Sequence, residues 1–279
     1  MRMSLARKIV LYVLLCLLGL MTAFPFVWMV STSFKTSNEV FSLRPNLIPR
    51  NLFTDKMWDN YRTILVKHKF LRYVQNSLFV ATTAAFGQLV ACSLAGFAFA
   101  RMNFMGKEVL FGMLLATLMI PVEVTIIPEY LIMLKLGWYN TYLPLIVPSM
   151  MIGSFGTFLF RGFFENIPTA LEDAAFIDGV NSWQMFYKVF LPNAKPAIAS
   201  LFIIAFMNNW NDLLRPVIYL DSDHLWTATM GLMQFKGNYG TQWHLLLTGS
   251  LISVLPLITV YVLMQRYFVE GMLSSGMKG

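Results

Sequence analysis

The sequence predicts an all-α, polytopic membrane protein with six transmembrane helices and one folded helix-turn-helix loop. Two observations carry this. Of 279 residues, 57% are hydrophobic and 13% charged, with a mean hydropathy of +0.61, whereas soluble domains carry about a quarter charged residues. The charges also fall between six apolar blocks, each near the roughly 20 residues that a 30 Å hydrocarbon layer needs. Six buried helices of a soluble bundle would instead show polar faces at helical period. An ordinary soluble enzyme is excluded.

The first block, about 9–34, has no Asp, Glu, Lys or Arg and follows Arg2, Arg7 and Lys8. A secretory signal peptide starts in the same way, but its apolar region runs only about 7–15 residues before a small-x-small site. This run is longer and lacks that site, so it reads as a span. A polar stretch to Arg72 precedes the second span, 73–100, in which Cys92, Gly96 and Ala100 recur every fourth residue. That spacing puts small side chains on one face and lets a neighbouring helix approach closely. The third span, 109–133, contains Pro121 and Pro128, which interrupt helix hydrogen bonds and open a kink around Glu123. Further spans are expected at 141–160, 196–220 and 244–267, so residues 1–279 read as a single transmembrane domain.

Six spans place both termini on one side. Outside the first long loop, basic residues number ten on that side and three on the other, so the positive-inside rule makes the termini cytoplasmic. The first loop, with eight basic residues, is the exception.

Catalytic signatures are missing. The one Gly-Lys pair, Gly106-Lys107, precedes Glu108 rather than Ser or Thr, so there is no phosphate loop, and neither G-x-G-x-x-G nor G-x-S-x-G occurs. His68, His224 and His244 lack partners at metal-ligand spacing, and Cys16 and Cys92 lie within apolar blocks. The net charge of +7 is spread singly between apolar blocks rather than in a nucleic-acid-binding stripe.

The loop 161–195 reads as folded. Thr169 with Glu172 matches a capping box, Gly179 suits the left-handed residue that ends a helix, and Asn181 or Ser182 can cap a second helix that Pro192 stops. Ala174 and Ala175 keep one face thin, so the helix can lie in a partner's groove with Phe176, Ile177 and Phe186 as anchors and Glu172, Asp173 and Asp178 as rim charges.

Glu172-Asp173-Ala174-Ala175-Phe176-Ile177-Asp178-Gly179, then nine residues, then Val189-Phe190-Leu191-Pro192 resembles the E-A-A, Gly, I-x-L-P coupling motif of the membrane subunits of binding-protein-dependent ABC importers. Asp173 stands where Glu is usual, and Val189 replaces Ile. Asn76-Ser77, Ala95 to Arg101, Ile120-Pro121 with Ile127-Pro128, Trp210-Asn211-Asp212 and the tail Gly271 to Gly279 extend the resemblance to carbohydrate importers similar to the smaller maltose permease subunit. The resemblance implies a type I permease fold in a bacterial or archaeal cytoplasmic membrane, and half of a translocation pathway with no catalysis of its own. It also implies four partners: a second homologous permease, a cytoplasmic ATPase dimer, an extracytoplasmic solute-binding protein and a carbohydrate. ATP and Mg would sit on the ATPase, with no cofactor on this chain. Glu172, Asp173, Ala174, Ala175, Phe176, Asp178, Gly179, Leu191 and Pro192 would form the ATPase-coupling element.

Carboxylates at membrane depth are costly and usually face a cavity or a partner. Glu123 and the cluster Asn208, Asn209, Trp210, Asn211 and Asp212 therefore have two readings. They line the path of a polar solute, with Trp210 stacking on a sugar face, or they hydrogen-bond between helices, with Asp212 pairing to Arg215. An alternative function, an ion-coupled secondary transporter, would use Glu123 and Asp212 as cation or proton sites.

Overall fold

The computed structural model describes residues 4–42, 46–237 and 240–276, with backbone alone for Ala6 and 267–276. Arg2, Arg44, Lys278, residues 238 and 239 and the last three residues of the tail lie outside the described residues. Four helices are long and apolar enough to cross a membrane singly. Two bent pairs bring the number of spans to as many as six.

The chain divides into two compact units. The first comprises Met1–Leu71 and Gly231–Leu255. Its helix α1, Leu5–Ser33, leaves its apolar side chains exposed over most of its length, as a helix facing lipid or another subunit does. Asn60 donates its side-chain amide to the carbonyl of Ser33 (2.8 Å), one of the terminal acceptors of this helix, and to that of Lys35 (2.9 Å) just beyond its end. Tyr61 hydrogen-bonds Ser33 through its hydroxyl and packs against Phe34 and Trp58.

In the second unit, α2 (Phe70–Arg101, from Arg72) is the central helix. Helices α3 (Lys107–Met119) and α4 (Val122–Lys135) meet at a bend of 102°, because Pro121 is extended and caps α4. Helices α5 (Leu143–Met150) and α6 (Ser154–Glu165) are separated by a short break. Next come α7 (Thr169–Ile177) and α8 (Ser182–Asn193), and α8 bends by 80° into α9 (Lys195–Asn211). A final interruption at Asp212 leads to α10 (Leu214–Tyr219). The hairpin of β1 (Lys236–Gly237) and β2 (Gly240–Thr241) belongs to the first unit, as does the remaining long helix, α11 (Trp243–Gly276), as far as Leu255.

The small stripe on α2 fits α6 closely. A Cβ on Gly96 would lie 2.4 Å from Phe160 Cβ and 3.0 Å from the Arg161 nitrogen, and one on Gly156 would lie 2.7 Å from Cys92 Sγ. Asn76 and Ser77 tie the chain after α10 to α2. The Asn76 amide donates to the carbonyls of His224 and Trp226, and the Ser77 hydroxyl accepts from the Ala228 N–H.

Candidate functional site

The loop after α6 is built as a turn between two helices, with three departures from the sequence reading. Pro168, not a side-chain acceptor, occupies the position before α7, and Thr169 makes no capping bond. Thr169 is the first helical residue rather than the cap, so Glu172 falls at the fourth helical position, one beyond the third from which a capping box closes. Glu172 turns instead to Arg101, 3.3 Å away. The second departure concerns Pro192. A π turn at Phe186–Phe190 carries the helix through Pro192, and the chain breaks only at Ala194. Pro196, four residues beyond Pro192, cannot donate to that residue's carbonyl and sets the break. The third concerns the apolar anchors. Phe186 is buried at 5% exposure among Phe97, Phe164 and Phe190 rather than free.

The turn itself follows helix-capping chemistry. Gly179 has φ +77, Val180 N–H donates to the Ala175 carbonyl and Gly179 N–H to the Phe176 carbonyl, the pattern that closes a helix on a left-handed residue. Asn181 then starts α8 with a complete capping box. Its side chain accepts from Gln184 N–H (2.8 Å), and its own N–H donates to the Gln184 side chain (3.1 Å).

The two alanines separate. Ala175 is buried against the aromatic cluster, so its small side chain seats α7 on the protein's own core, while Ala174 is exposed. The outer face presents Asp173, Phe176, Ile177 and Asp178, joined by Leu171 and Trp183, which sequence reasoning missed. Leu191 and Val189 pack against the cluster from its edge.

Arg101 is the central side chain that sequence reasoning left without a role. From the end of α2 its guanidinium reaches Glu172, donates to the Phe164 carbonyl at 2.7 Å and to the Ile167 carbonyl, and lies 5.1 Å from the Phe190 ring centroid. The sequence signal was available: α6 has no basic residue in its last turn, so its terminal carbonyls needed a donor from elsewhere.

A second region lies where α4 starts, where α5 breaks from α6 and where α9 ends. A cavity of about 450 Å³ there is lined by Gln88, Thr117, Ser149, Gly153, Asn208, Asn209, Asp212 and Arg215, among others. Irregular backbone at membrane depth survives where it faces protein or a polar cavity. Of the sequence candidates, the structure brings Asn208, Asn209 and Asp212 together. Trp210 is not with them: it is 2% exposed and stacked on Phe206 with ring centroids 5.5 Å apart. Glu123 and Asn211 are exposed and outside the lining. Asp212 accepts from the backbone N–H of Arg215, while the Arg215 guanidinium pairs with Glu129 at 3.4 Å. Gln88 and Glu129 were both missed. Arg215, a cation within the fifth apolar block, called for a carboxylate partner beyond the local Asp212.

Among the described residues no group of three or more His, Cys, Asp or Glu could hold a metal ion. Residues 89–274 match the family model of the binding-protein-dependent transport system inner membrane component. The chain belongs to this family. A probable ABC transporter permease protein, YurM of Bacillus subtilis, is 33% identical over 96% of this chain and 88% of its own length. The lactose transport system permease protein LacG of Rhizobium radiobacter is 31% identical over 96% of this chain and 95% of its own. The fold is shared with a chain of a bacterial ABC transporter involved in the import of the acidic polysaccharide alginate, at a TM-score of 0.82 and 22% identity, covering 96% of this chain and 99% of that one. The permease is thus an inner membrane component, a non-catalytic subunit of an ABC importer. The family match sets aside the ion-coupled secondary transporter.

Proposed function

We propose that this permease imports a carbohydrate, forming half of a translocation pathway with a second homologous permease. A solute-binding protein delivers the sugar from outside, and a cytoplasmic ATPase dimer carrying ATP and Mg drives the cycle. The likeness to the lactose permease supports the substrate class. Both termini are cytoplasmic on this reading, which agrees with the distribution of basic residues.

One observation carries the coupling assignment. The loop 161–195 buries one side on the permease's own aromatic cluster and leaves Asp173, Phe176, Ile177, Asp178 and Trp183 outward. An anchored helix pair with an unused apolar and acidic face suits docking into a groove. Gly179 supplies the tight turn, and Leu191 and Pro192 carry the chain back toward α9.

Asn208, Asn209 and Asp212, with Gln88 across the cavity, suit a polyhydroxylated solute, because amides offer both donors and acceptors to hydroxyls.

The test is co-purification with co-expressed candidate partners, comparing native sequence with an Asp173→Lys, Gly179→Asp double variant. Native protein should retain an ATPase and show solute-stimulated hydrolysis, and the variant should lose one or both. A native chain that binds no ATPase would refute the reading.

A further inference from the structure

Adjacent carboxylates at the start of α7 face different chemistry. Asp173 is exposed, whereas Glu172 is 19% exposed in its side chain and pairs with Arg101, itself 11% exposed. The same guanidinium holds the carbonyls of Phe164 and Ile167 at the end of α6. One planar group thus joins three elements: α2, which carries it, the C-terminus of α6 and the first turn of α7. Each contact has the favourable sign, since a cation suits a helix C-terminus and Glu172 suits a helix N-terminus. Between α6 and α7 the chain itself is only Asn166, Ile167 and Pro168. Ala175 adds a small apolar contact to the cluster, and Arg101 adds directional bonds that join the two sides of this corner.

We propose that Arg101 and Glu172 are a positioning pair, a strut that makes α7 move as one body with α2 and α6, and that Glu172 does not touch the ATPase. Contact with the ATPase is left to Asp173 and the exposed apolar residues. This rests on reading 161–195 as the coupling element. Severing the strut leaves the docking face intact and lets α7 pivot about its short link, so hydrolysis continues while its motion is transmitted poorly. A lysine cannot replace the arginine, because it lacks the fork that meets two carbonyls and a carboxylate together.

The experiment uses the full complex, with a second permease, ATPase and solute-binding protein of the same organism, in lipid vesicles. Glu172→Gln, Arg101→Lys and Asp173→Lys are compared for retained ATPase subunit, basal hydrolysis and solute taken up per ATP hydrolysed. Glu172→Gln and Arg101→Lys should keep the ATPase and basal hydrolysis and lower uptake per ATP at least about five-fold, the lower end of typical coupling between sites. Asp173→Lys should instead lose the ATPase. Native uptake per ATP in Glu172→Gln overturns the strut, and so does loss of the ATPase subunit from that variant, which would make Glu172 a docking residue. If Arg101→Lys fails to accumulate, the isosteric Glu172→Gln decides alone. Full retention and stimulation with Asp173→Lys overturns the coupling reading, whatever the strut variants do.

Discussion

Gly96→Ala should destabilise the permease although alanine is the better helix former. The added Cβ would lie 2.4 Å from Phe160 Cβ, whereas carbon atoms pack best at about 3.5–4.0 Å, so α2 and α6 must separate locally by about 1.1–1.6 Å. Rotating Phe160 gives no relief, since its Cβ does not move with χ1, and the next nearest atoms, the Arg161 nitrogen at 3.0 Å and the Phe160 carbonyl carbon at 3.1 Å, are backbone. Overpacking of this kind costs about 1–3 kcal/mol, and the helix gain from Gly to Ala offsets about 0.5–1 kcal/mol of it. Rigid backbone neighbours favour the upper half of the range, a net loss of about 2 kcal/mol, or roughly 4–8 °C in melting temperature at 2–4 °C per kcal/mol. Gly19 is the control. It sits in α1 with nothing within 4 Å of an added Cβ, so Gly19→Ala should be neutral or slightly stabilising. Both variants are melted in the same detergent. A Gly96→Ala protein that melts at or above the native temperature would refute the close approach of α2 and α6.

Three further outcomes are expected. Asn181→Ala removes the side-chain oxygen that accepts from Gln184 N–H before α8 and keeps the backbone N–H that donates to the Gln184 side chain; it should cost about 1 kcal/mol, read as faster amide exchange at Ser182–Met185 with α2 unchanged. Arg215→Met leaves Glu129, 15% exposed in its side chain, without its cation. That loss should cost about 3–5 kcal/mol, and adding Glu129→Gln should recover part of it, so a double variant no more stable than the single would count against the pair. Lys35 is buried with its ammonium 4.5 Å from the Trp28 ring centroid, and burial lowers its pKa from 10.5 against an opposing pull from Glu39. Between the lowered folded value and 10.5 the unfolded chain binds more protons, so this residue makes stability rise with pH through that window. Lys35→Met should flatten the rise in melts across it.

The apolar blocks were legible because lipid demands long uninterrupted runs, which a linear reading detects directly. The small-residue stripe on α2 was legible for a similar reason, since spacing within one helix fixes a face. Contacts between distant segments were not. Arg101 read as a flanking charge, because nothing local marks it as the donor for the Phe164 carbonyl 63 positions away. Glu172 read as a capping partner because Thr169 stands three residues earlier, but α7 already starts at Thr169 with Pro168 as its cap, which puts Glu172 one position too far along to close the box. Trp210 read as a sugar platform from its polar neighbours, yet one turn earlier Phe206 supplies an aromatic face for it to stack on. Glu123 drew attention through the flanking prolines, while Glu129, one and a half turns on, holds the cation.

Helix α6 spans from the cavity to the loop, and its packing gives it a stiffness that neither end has alone. Its 12 residues cover about 18 Å. At the cavity end, Gly153 lines the wall, donates its N–H to Cys92 Sγ at 3.2 Å and accepts from the thiol at 3.3 Å. One turn on, Gly156 abuts Cys92 and Leu201, and further along Phe160 and Phe164 enter the aromatic cluster that seats Ala175 and Phe190. The far end hands its carbonyls to Arg101. Close-packed contacts resist continuous deformation and favour discrete rearrangements, so a displacement of α7 passed through the strut would reach Gly153 as a shift of the whole helix. On the proposed reading, the same element then feels both the solute beside Gly153 and the ATPase beside Asp173, and linkage requires each to bias the other's binding equally. The small residues at 96, 153 and 156 permit that close packing. They tie α6 to α2 tightly enough that the cavity wall and the docking face answer to one motion.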